Sequence, residues 1–300
     1  MKAFITGGTG FVGPHLVAHL EAAGDEVVLA PDENTGFAIT DRETVEREIA
    51  RVRPDAIYHL AARSNVAESW QDPAGFLRVN VEGTQNVCDA ARAASVARVL
   101  VIGSSEEYGR VDPGIDRVDE DTPLRPLSPY GVSKIAASYV ALQSWLGGGL
   151  ETVRVRAFNH TGPGQSPAFF VPGFANRVAQ AERDGASTIT AGSLDAVRDI
   201  SDVRDVVRAY CVIVEHGAPG EVYNVCSGNG IAIGDIANTL LSQSTRPLRI
   251  ETDPALLRPA DIPRVVGDNS KLLALGWKPE FSLEETLSAV LQEARSSERR

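Results

Sequence analysis

Five short runs of apolar, β-branched residues recur between residues 2 and 158: KAFIT (2–6), EVVLA (26–30), AIYHLA (56–61), RVLVIGS (98–104) and TVRVRAF (152–158). Gly, Pro or polar residues bound each run, and helix-length segments separate them. One such segment opens at Thr40, where TDRE reads as a capping box, and stops at Pro54. Another, from about Asp72 to Ser95, carries apolar residues at helical spacing. Strands that are apolar on both faces and alternate with helices predict a parallel sheet covered on both sides, the doubly wound α/β fold. With 300 residues and 43% hydrophobic content, the chain can bury one large core or two ordinary ones.

After residue 158 the rhythm breaks. Gly- and Pro-containing stretches (HTGPGQSP, VPGF) come first, then a helix over DVRDVVRAYCVIVEHG, a strand at EVYNVCS, and a loop-rich tail. That tail closes in a helix capped by Ser282 with Glu285. The predicted organisation is a sheet domain formed by 1–157 and 197–226. A smaller, discontinuous lobe formed by 158–196 and 227–300 lies over the strand ends. A net charge of −11 argues against a nucleic-acid or acidic-membrane partner. Cys88, Cys211 and Cys226 show neither disulfide nor metal spacing, and the five histidines are scattered, so no metal is expected. No apolar run approaches a membrane span and MKAFITGG shows no leader pattern, so a cytoplasmic chain is expected.

FITGGTGFVG follows the first strand and opens the first helix, with Gly7, Gly10 and Gly13 three residues apart and Phe11 and Val12 between the last two. In this strand–turn–helix setting the glycines let a pyrophosphate approach the N–H groups of the helix N-terminus. Pro14 falls in the first helical turn, where its missing N–H costs little. Asp32 and Glu33 stand just past the second strand, where an adenosine ribose would lie; otherwise they are solvated loop acids. A carboxylate there accepts from the ribose 2′-OH and repels a 2′-phosphate, and no arginine occupies the turn. This favours NAD(H), with NADP(H) as the alternative.

SPYGVSK places Tyr130 and Lys134 four apart on one helical face. An ammonium near the phenol, with the positive nicotinamide, favours the phenolate and allows proton exchange with a hydroxyl or carbonyl. Combined with Ser104, which ends the fourth strand, this makes a reduction or oxidation site.

TGGTGFVG, HLAA (59–62), Asn80, GSSEEYG (103–109), Tyr130 with Lys134, FNHTGPGQ (158–165) and AVRDISDVRD (196–205) together resemble the extended short-chain dehydrogenase/reductases acting on nucleotide sugars, over nearly the whole chain. The later motifs, with RPLSPYGVSK, VYNVCSG and LRPADIP, look most like the branch of GDP-4-keto-6-deoxy-D-mannose reductases and GDP-mannose 4,6-dehydratases. The resemblance implies a Rossmann domain holding NAD(H) through the glycine turn, Asp32, Leu60, Ala61, Ala62 and Asn80. Lys134 would bind the cofactor ribose, and His160 would lie near the nicotinamide. It places Ser104 and Tyr130 at the sugar O4, Ser105 and Glu106 in the sugar site, and Asn159 near sugar and pyrophosphate. Arg198 would meet the diphosphate, and Arg258 and Asp261 the nucleoside end. Guanidinium forks suit a diphosphate in an acidic chain. Asp199, Asp202 and Asp205 read as loop, cap and solvated helix residues, and Cys226 as a small buried hydrophobe. Helices near 80–95 and 129–146 resemble the family's four-helix homodimer interface.

Two positions depart from the branch: Asp32 where arginine is common, and Ala38 where an aspartate usually meets the adenine. Glu106 occupies the position of the dehydratases' C5 base. By resemblance, the loops between HLAA and SSEEYG, more compact than the dehydratases', and the GGTGFVGPHL turn, which looks like that of the reductase and epimerase branches, instead favour a 4-reductase that makes GDP-D-rhamnose. The alternatives are a GDP-mannose 4,6-dehydratase using Glu106 or a nucleotide-sugar 4-epimerase. A cofactor-sensing module without catalysis is disfavoured, because Ser104, Tyr130 and Lys134 are all present.

Overall fold

The computed structural model describes residues 1–32, 36–253 and 262–297. Strands β1 (Lys2–Thr6), β2 (Glu26–Leu29), β3 (Ala56–His59), β4 (Arg98–Ser104) and β5 (Thr152–Ala157) follow the five apolar runs to within two residues. Helices α1 (Val12–Ala22) and α2 (Arg42–Val52) join the first three strands. Between β3 and β4 lie α3 (Val66–Ser69), α4 (Pro73–Leu77), a π-helical turn (Arg78–Glu82) and α5 (Gly83–Ala93). The helix α6 (Pro129–Leu146) joins β4 to β5.

The remaining described elements are β6 (Asn159–Thr161), α7 (Phe170–Asp184), β7 (Thr188–Ala191), β8 (Val197–Asp202) and α8 (Val203–His216). They continue with β9 (Val222–Val225), β10 (Gly230–Ala232), α9 (Ile233–Ser242), β11 (Arg249–Thr252), β12 (Arg264–Val265), α10 (Ser270–Leu273) and α11 (Leu283–Ser297).

The large sheet runs β2-β1-β3-β4-β5-β9, and every pairing is parallel. Strand alternation divides its core. Ala3, Ile5, Tyr58, Leu100, Val153 and Val155 pack with Leu16 and Leu20 of α1 and Val206, Tyr210 and Ile213 of α8. The intervening Phe4, Ile57, Val99 and Val101 pack instead with Val45 and Ile49 of α2, Val87 and Cys88 of α5, and Ala141 of α6. Because β1 has β2 on one side and β3 on the other, the sheet changes winding direction there. Ligands bind outside the carboxyl ends of strands at such a point. A second sheet joins β6, β8, β10 and β12, while β7 and β11 form a parallel pair. Helices α7, α9 and α11 share a third core around Phe174, Val178, Ile236, Leu240, Leu287 and Leu291.

Local signals moved in two places. Asp41, not Thr40, caps α2, accepting from the Thr44 amide at 3.3 Å and from its hydroxyl at 2.7 Å. A carboxylate is the stronger acceptor, which shifts the start by one residue. The single helix expected from Asp72 is interrupted: Asp72 caps α4, and the π-helical turn intervenes before α5. That turn contains Asn80. At the other end of the chain the Ser282–Glu285 box forms as expected, with Ser282 Oγ accepting from the Glu285 amide at 3.2 Å. No helix among the described residues is long and apolar enough to cross a membrane.

Candidate active site

The turn after β1 is shaped by close approach. Gly7 has φ of 69°, and a Cβ there would stand 2.6 Å from the Ala61 amide nitrogen. A Cβ on Gly13 would collide with the Gly8 backbone. The loop thus fits directly against the Leu60–Ala61 segment, and α1 begins at Val12 with no side-chain cap and no acidic residue in its first turn. Helix N–H donors beneath a glycine turn fit the diphosphate of a dinucleotide. Asp32 follows β2, whose Leu29 pairs with Ile5 near the carboxyl end of β1, so the chain at Asp32 leaves the sheet on the same edge as the glycine turn. Glu33 lies outside the described residues.

One polar chain connects this turn to the next motif. The Thr6 hydroxyl donates to His59 Nδ1 at 2.7 Å, His59 Nε2–H donates to Thr84 Oγ1 at 3.1 Å, and Thr84 donates to the Asn80 carbonyl at 2.6 Å. The last acceptor can only accept, which fixes the direction of every donor before it. Burial, reinforced by the Lys134 ammonium, lowers the His59 pKa to about 3, so the ring is neutral as the chain requires. The Asn80 side chain exchanges hydrogen bonds with the Arg63 backbone (2.8 and 3.0 Å) and donates to Ser133 Oγ at 2.9 Å. Ser133 in turn donates to the Tyr130 carbonyl at 2.7 Å. Asn80 therefore sits beneath the HLAAR segment and fixes it to the turn of α6 that carries Tyr130.

Ser104, Tyr130 and Lys134 converge where β4 ends. Ser104 caps a 3₁₀ turn (Ser105–Glu107), accepting from the Glu106 amide at 3.2 Å, and its side chain acts on Tyr130 in the direction that favours the phenolate. Lys134 Nζ donates to the Ile102 carbonyl at 2.7 Å and lies 6.0 Å from the Tyr130 ring centroid. The edge of Phe76 meets the same ring at 6.3 Å, and the Arg63 guanidinium covers Phe76 at 4.3 Å. Burial lowers the Lys134 pKa to about 8, opposed by Glu107.

Tyr130 departs from expectation. Its own surroundings push the phenol above the ordinary tyrosine range, chiefly through burial, with Ser104 opposing and Glu106 and Glu107 acting with burial. The protein's own groups thus hold a proton donor at this position.

On the facing side, the His160 ring stacks on Phe11 at 5.9 Å and 7°, and His15 meets Phe11 edge-on at 5.8 Å. His160 Nδ1–H donates to the Phe158 carbonyl at 2.9 Å, and burial lowers its pKa, favouring the neutral ring. Asn159 pairs in register with Ile200, two residues along β8 from Arg198, so both side chains belong to one face of the small sheet. Arg198 is half-buried, with Nη1 donating to the Val197 carbonyl at 2.9 Å. Arg258 and Asp261 lie outside the described residues.

Two aspartates are more than loop or surface groups. Asp199, 1% exposed, lies within β8 and accepts from the amides of Ser227, Gly228 and Gly267. Asp205, 2% exposed, accepts from the amides of Glu280 and Phe281 and binds Arg208. Unpaired backbone donors in the adjoining loops supply what a buried carboxylate needs. Asp202 does cap α8, accepting from Arg204 N at 2.7 Å, and Cys226 is buried.

The larger omission from the sequence reading is the network behind Ser104, where Glu107, Arg156, Tyr108 and Asn224 are all buried. TVRVRAF carried the available signal: Arg154 and Arg156 alternate with valines in a strand expected to be apolar on both faces. Among the described residues no His, Cys, Asp or Glu cluster could hold a metal ion.

A dinucleotide turn at the winding reversal of a parallel sheet, with a buried Ser–Tyr–Lys group at the neighbouring strand end, defines a nicotinamide-dinucleotide enzyme. The chain belongs to the NAD dependent epimerase/dehydratase family, whose profile matches residues 3–226. It is 35% identical over 298 residues to the GDP-6-deoxy-D-mannose reductase of Pseudomonas aeruginosa, covering 98% of this chain and 97% of that one. The solved structure of RMD from Pseudomonas aeruginosa complexed with NADPH matches with a TM-score of 0.91 at 34% identity, over 99% of both chains. The Thermus thermophilus UDP-glucose 4-epimerase complexed with NAD matches with a TM-score of 0.87 at 31% identity, over 99% of this chain and 100% of that one. The family is one of nucleotide-sugar oxidoreductases, epimerases and dehydratases.

Proposed function

We propose that the protein is a nucleotide-sugar 4-reductase that converts GDP-4-keto-6-deoxy-D-mannose to GDP-D-rhamnose. The observation that carries this reading is Tyr130, buried and pushed toward its protonated form, with Ser104 acting on it from the end of β4. Full-length similarity to a GDP-6-deoxy-D-mannose reductase supports the same substrate class.

In this reading Gly7, Gly10, Phe11, Val12 and Gly13 hold the cofactor diphosphate, while Leu60, Ala61 and Ala62 border it. Lys134 holds the nicotinamide ribose and His160 the nicotinamide side. The reduced nicotinamide, when bound, supplies the hydride for C4. Tyr130 gives its phenolic proton to the C4 oxygen as the ketone becomes an alcohol, and Ser104 orients that oxygen by hydrogen bonding. Lys134 stabilises the phenolate left behind. Ser105, Glu106 and Asn159 meet sugar hydroxyls, and Arg198 meets the diphosphate. The sheet domain (1–157, 197–226) thus carries the cofactor and the smaller lobe carries the nucleotide sugar.

With cofactor deuterated at the transferring position, deuterium is expected at C4 of the product sugar. Label at C6, or none, would contradict the reading.

A second reading, GDP-mannose 4,6-dehydratase, is favoured by Glu106, whose charge acts on Tyr130 from the dehydratase base position. A 4-epimerase would use the same Ser–Tyr–Lys group.

For the cofactor we propose a preference for NADH, resting on Asp32 at the ribose end of the turn. Asp32→Arg should move the NADH/NADPH ratio of kcat/KM toward NADPH by about tenfold or more, the loss of one charge repulsion and gain of one ion pair. An unchanged ratio would show that Asp32 does not select the cofactor.

We further propose a cytoplasmic homodimer formed through α5 and α6. Val132, Tyr139 and Leu146 recur at seven-residue spacing and are exposed on α6, near exposed Trp70 and Leu77. The free thiols of Cys88, Cys211 and Cys226 fit a reducing compartment.

A further inference from the structure

Glu107 is fully enclosed at 0% exposure, although the adjacent Glu106 is only half-buried. One carboxylate oxygen accepts the Ser104 amide at 2.9 Å, and the other accepts Arg156 Nε–H at 3.0 Å. Arg156 is itself held, donating to the Tyr108 hydroxyl at 3.1 Å and the Glu120 carbonyl at 2.8 Å, while Tyr108 donates to Asn224 at 2.6 Å. The carboxylate lies flat against Gly103, where any Cβ would collide with its oxygen and with the Val155 carbonyl. Both the bonding and the absence of a side chain at 103 fix the carboxylate where β4 ends.

Lys134, 6% exposed, donates to the Ile102 carbonyl, two residues before the Ser104 amide that this carboxylate accepts. The groups that face its ammonium come from four elements. Tyr130 lies on its own helix α6, neutral His59 on β3, Glu107 on the 3₁₀ turn, and Arg156 on β5 behind Glu107. Of these, Glu107 supplies the negative charge that opposes the effect of burial on Lys134.

We propose that Glu107 is a positioning residue, fixing the backbone of Ser104 and serving as the counter-charge that keeps Lys134 an ammonium beside Tyr130. Its kinetic consequence rests on the reductase reading above, whereas the charge assignment can be tested on the protein alone. Replacing Glu107 with a neutral side chain removes the negative charge that opposes burial at Lys134, and the lysine then gives up its proton at lower pH.

The sequence contains four lysines, Lys2, Lys134, Lys271 and Lys278, so NMR of protein labelled with ¹³C at lysine Cε resolves each ammonium. Wild-type Lys134 should titrate near pH 8. In Glu107→Gln it should titrate lower by about one pH unit or more, and in Glu107→Asp it should return close to wild type. Where Glu107→Gln fails to fold because Arg156 is left unpaired, Glu107→Gln/Arg156→Met removes both charges and should still show the lowered titration. Wild-type titration of Lys134 in either neutral variant overturns the proposal, since a purely structural role for Glu107 would not move it.

In turnover, the alkaline limb of kcat/KM should follow Lys134. Activity is present below its pKa and lost as pH rises through it, so the limb moves to lower pH in Glu107→Gln. A shifted NMR titration with no reduction of GDP-4-keto-6-deoxymannose by the wild type leaves the Glu107 assignment standing and sinks the reductase reading.

Discussion

Tyr130→Phe is expected to lower kcat by on the order of 10²–10⁴-fold while cofactor affinity stays near its parent value. The phenol is buried and pushed toward its protonated form at the strand end that carries Ser104, so its proton is held for delivery rather than for general electrostatics. Phe76 packs at a near-right angle to the ring, itself covered by Arg63, and a phenylalanine at 130 keeps that packing. Single-turnover oxidation of the reduced cofactor with the keto sugar separates the two effects. Near-parental turnover would remove Tyr130 as the donor, and a large loss of cofactor affinity would make its role structural.

Arg156→Met should produce the largest loss of stability. Arg156 lies in β5 at 5% exposure and binds Glu107, the Tyr108 hydroxyl and the Glu120 carbonyl. Methionine fills similar volume but leaves Glu107 buried without its cation, which costs about 3–5 kcal/mol. The deficit depends on pH with a definite sign. Burial already raises the Glu107 pKa above its ordinary value, and losing Arg156 raises it further. The folded state then binds more protons than the unfolded one, so stability falls as pH rises from the unfolded carboxyl pKa through the folded one. The variant should therefore recover part of its deficit on acidification from neutral pH toward pH 5. Urea unfolding across that range provides the measurement. A deficit that is small, or that grows on acidification, would show that the pair is not the carboxylate's main support.

The sheet was legible because two periodicities were unmixed. Ala3 and Ile5 face α1 and α8 while Phe4 faces α2, and each run of this kind ends in Gly, Pro or a polar residue. The site was legible where spacing alone brings groups together, as with Tyr130 and Lys134 on one helical face, or the glycines on one turn. It was not legible where contacts cross the chain. Arg156 and Glu107 are 49 residues apart, and Thr6 and His59 are 53 apart. Only the parallel pairing of β4 with β5 and of β1 with β3 brings them together. The π-helical turn at Asn80 was hidden for another reason: its residues keep helical spacing, and the extra residue per turn shows only in the backbone. Asp199 and Asp205 read in sequence as loop and solvated helix residues because most of their partners are backbone amides, which every residue type except proline carries.

The reductase assignment is tested most directly by two parallel incubations of the purified protein, with the sugar product identified by mass and NMR. One contains GDP-mannose with NAD, the other GDP-4-keto-6-deoxymannose with NADH or NADPH. Product in the second alone, reduced at C4 with the rhamnose configuration, is the predicted result. Loss of water from GDP-mannose in the first would make Glu106 a working base and the protein a dehydratase, contradicting the account.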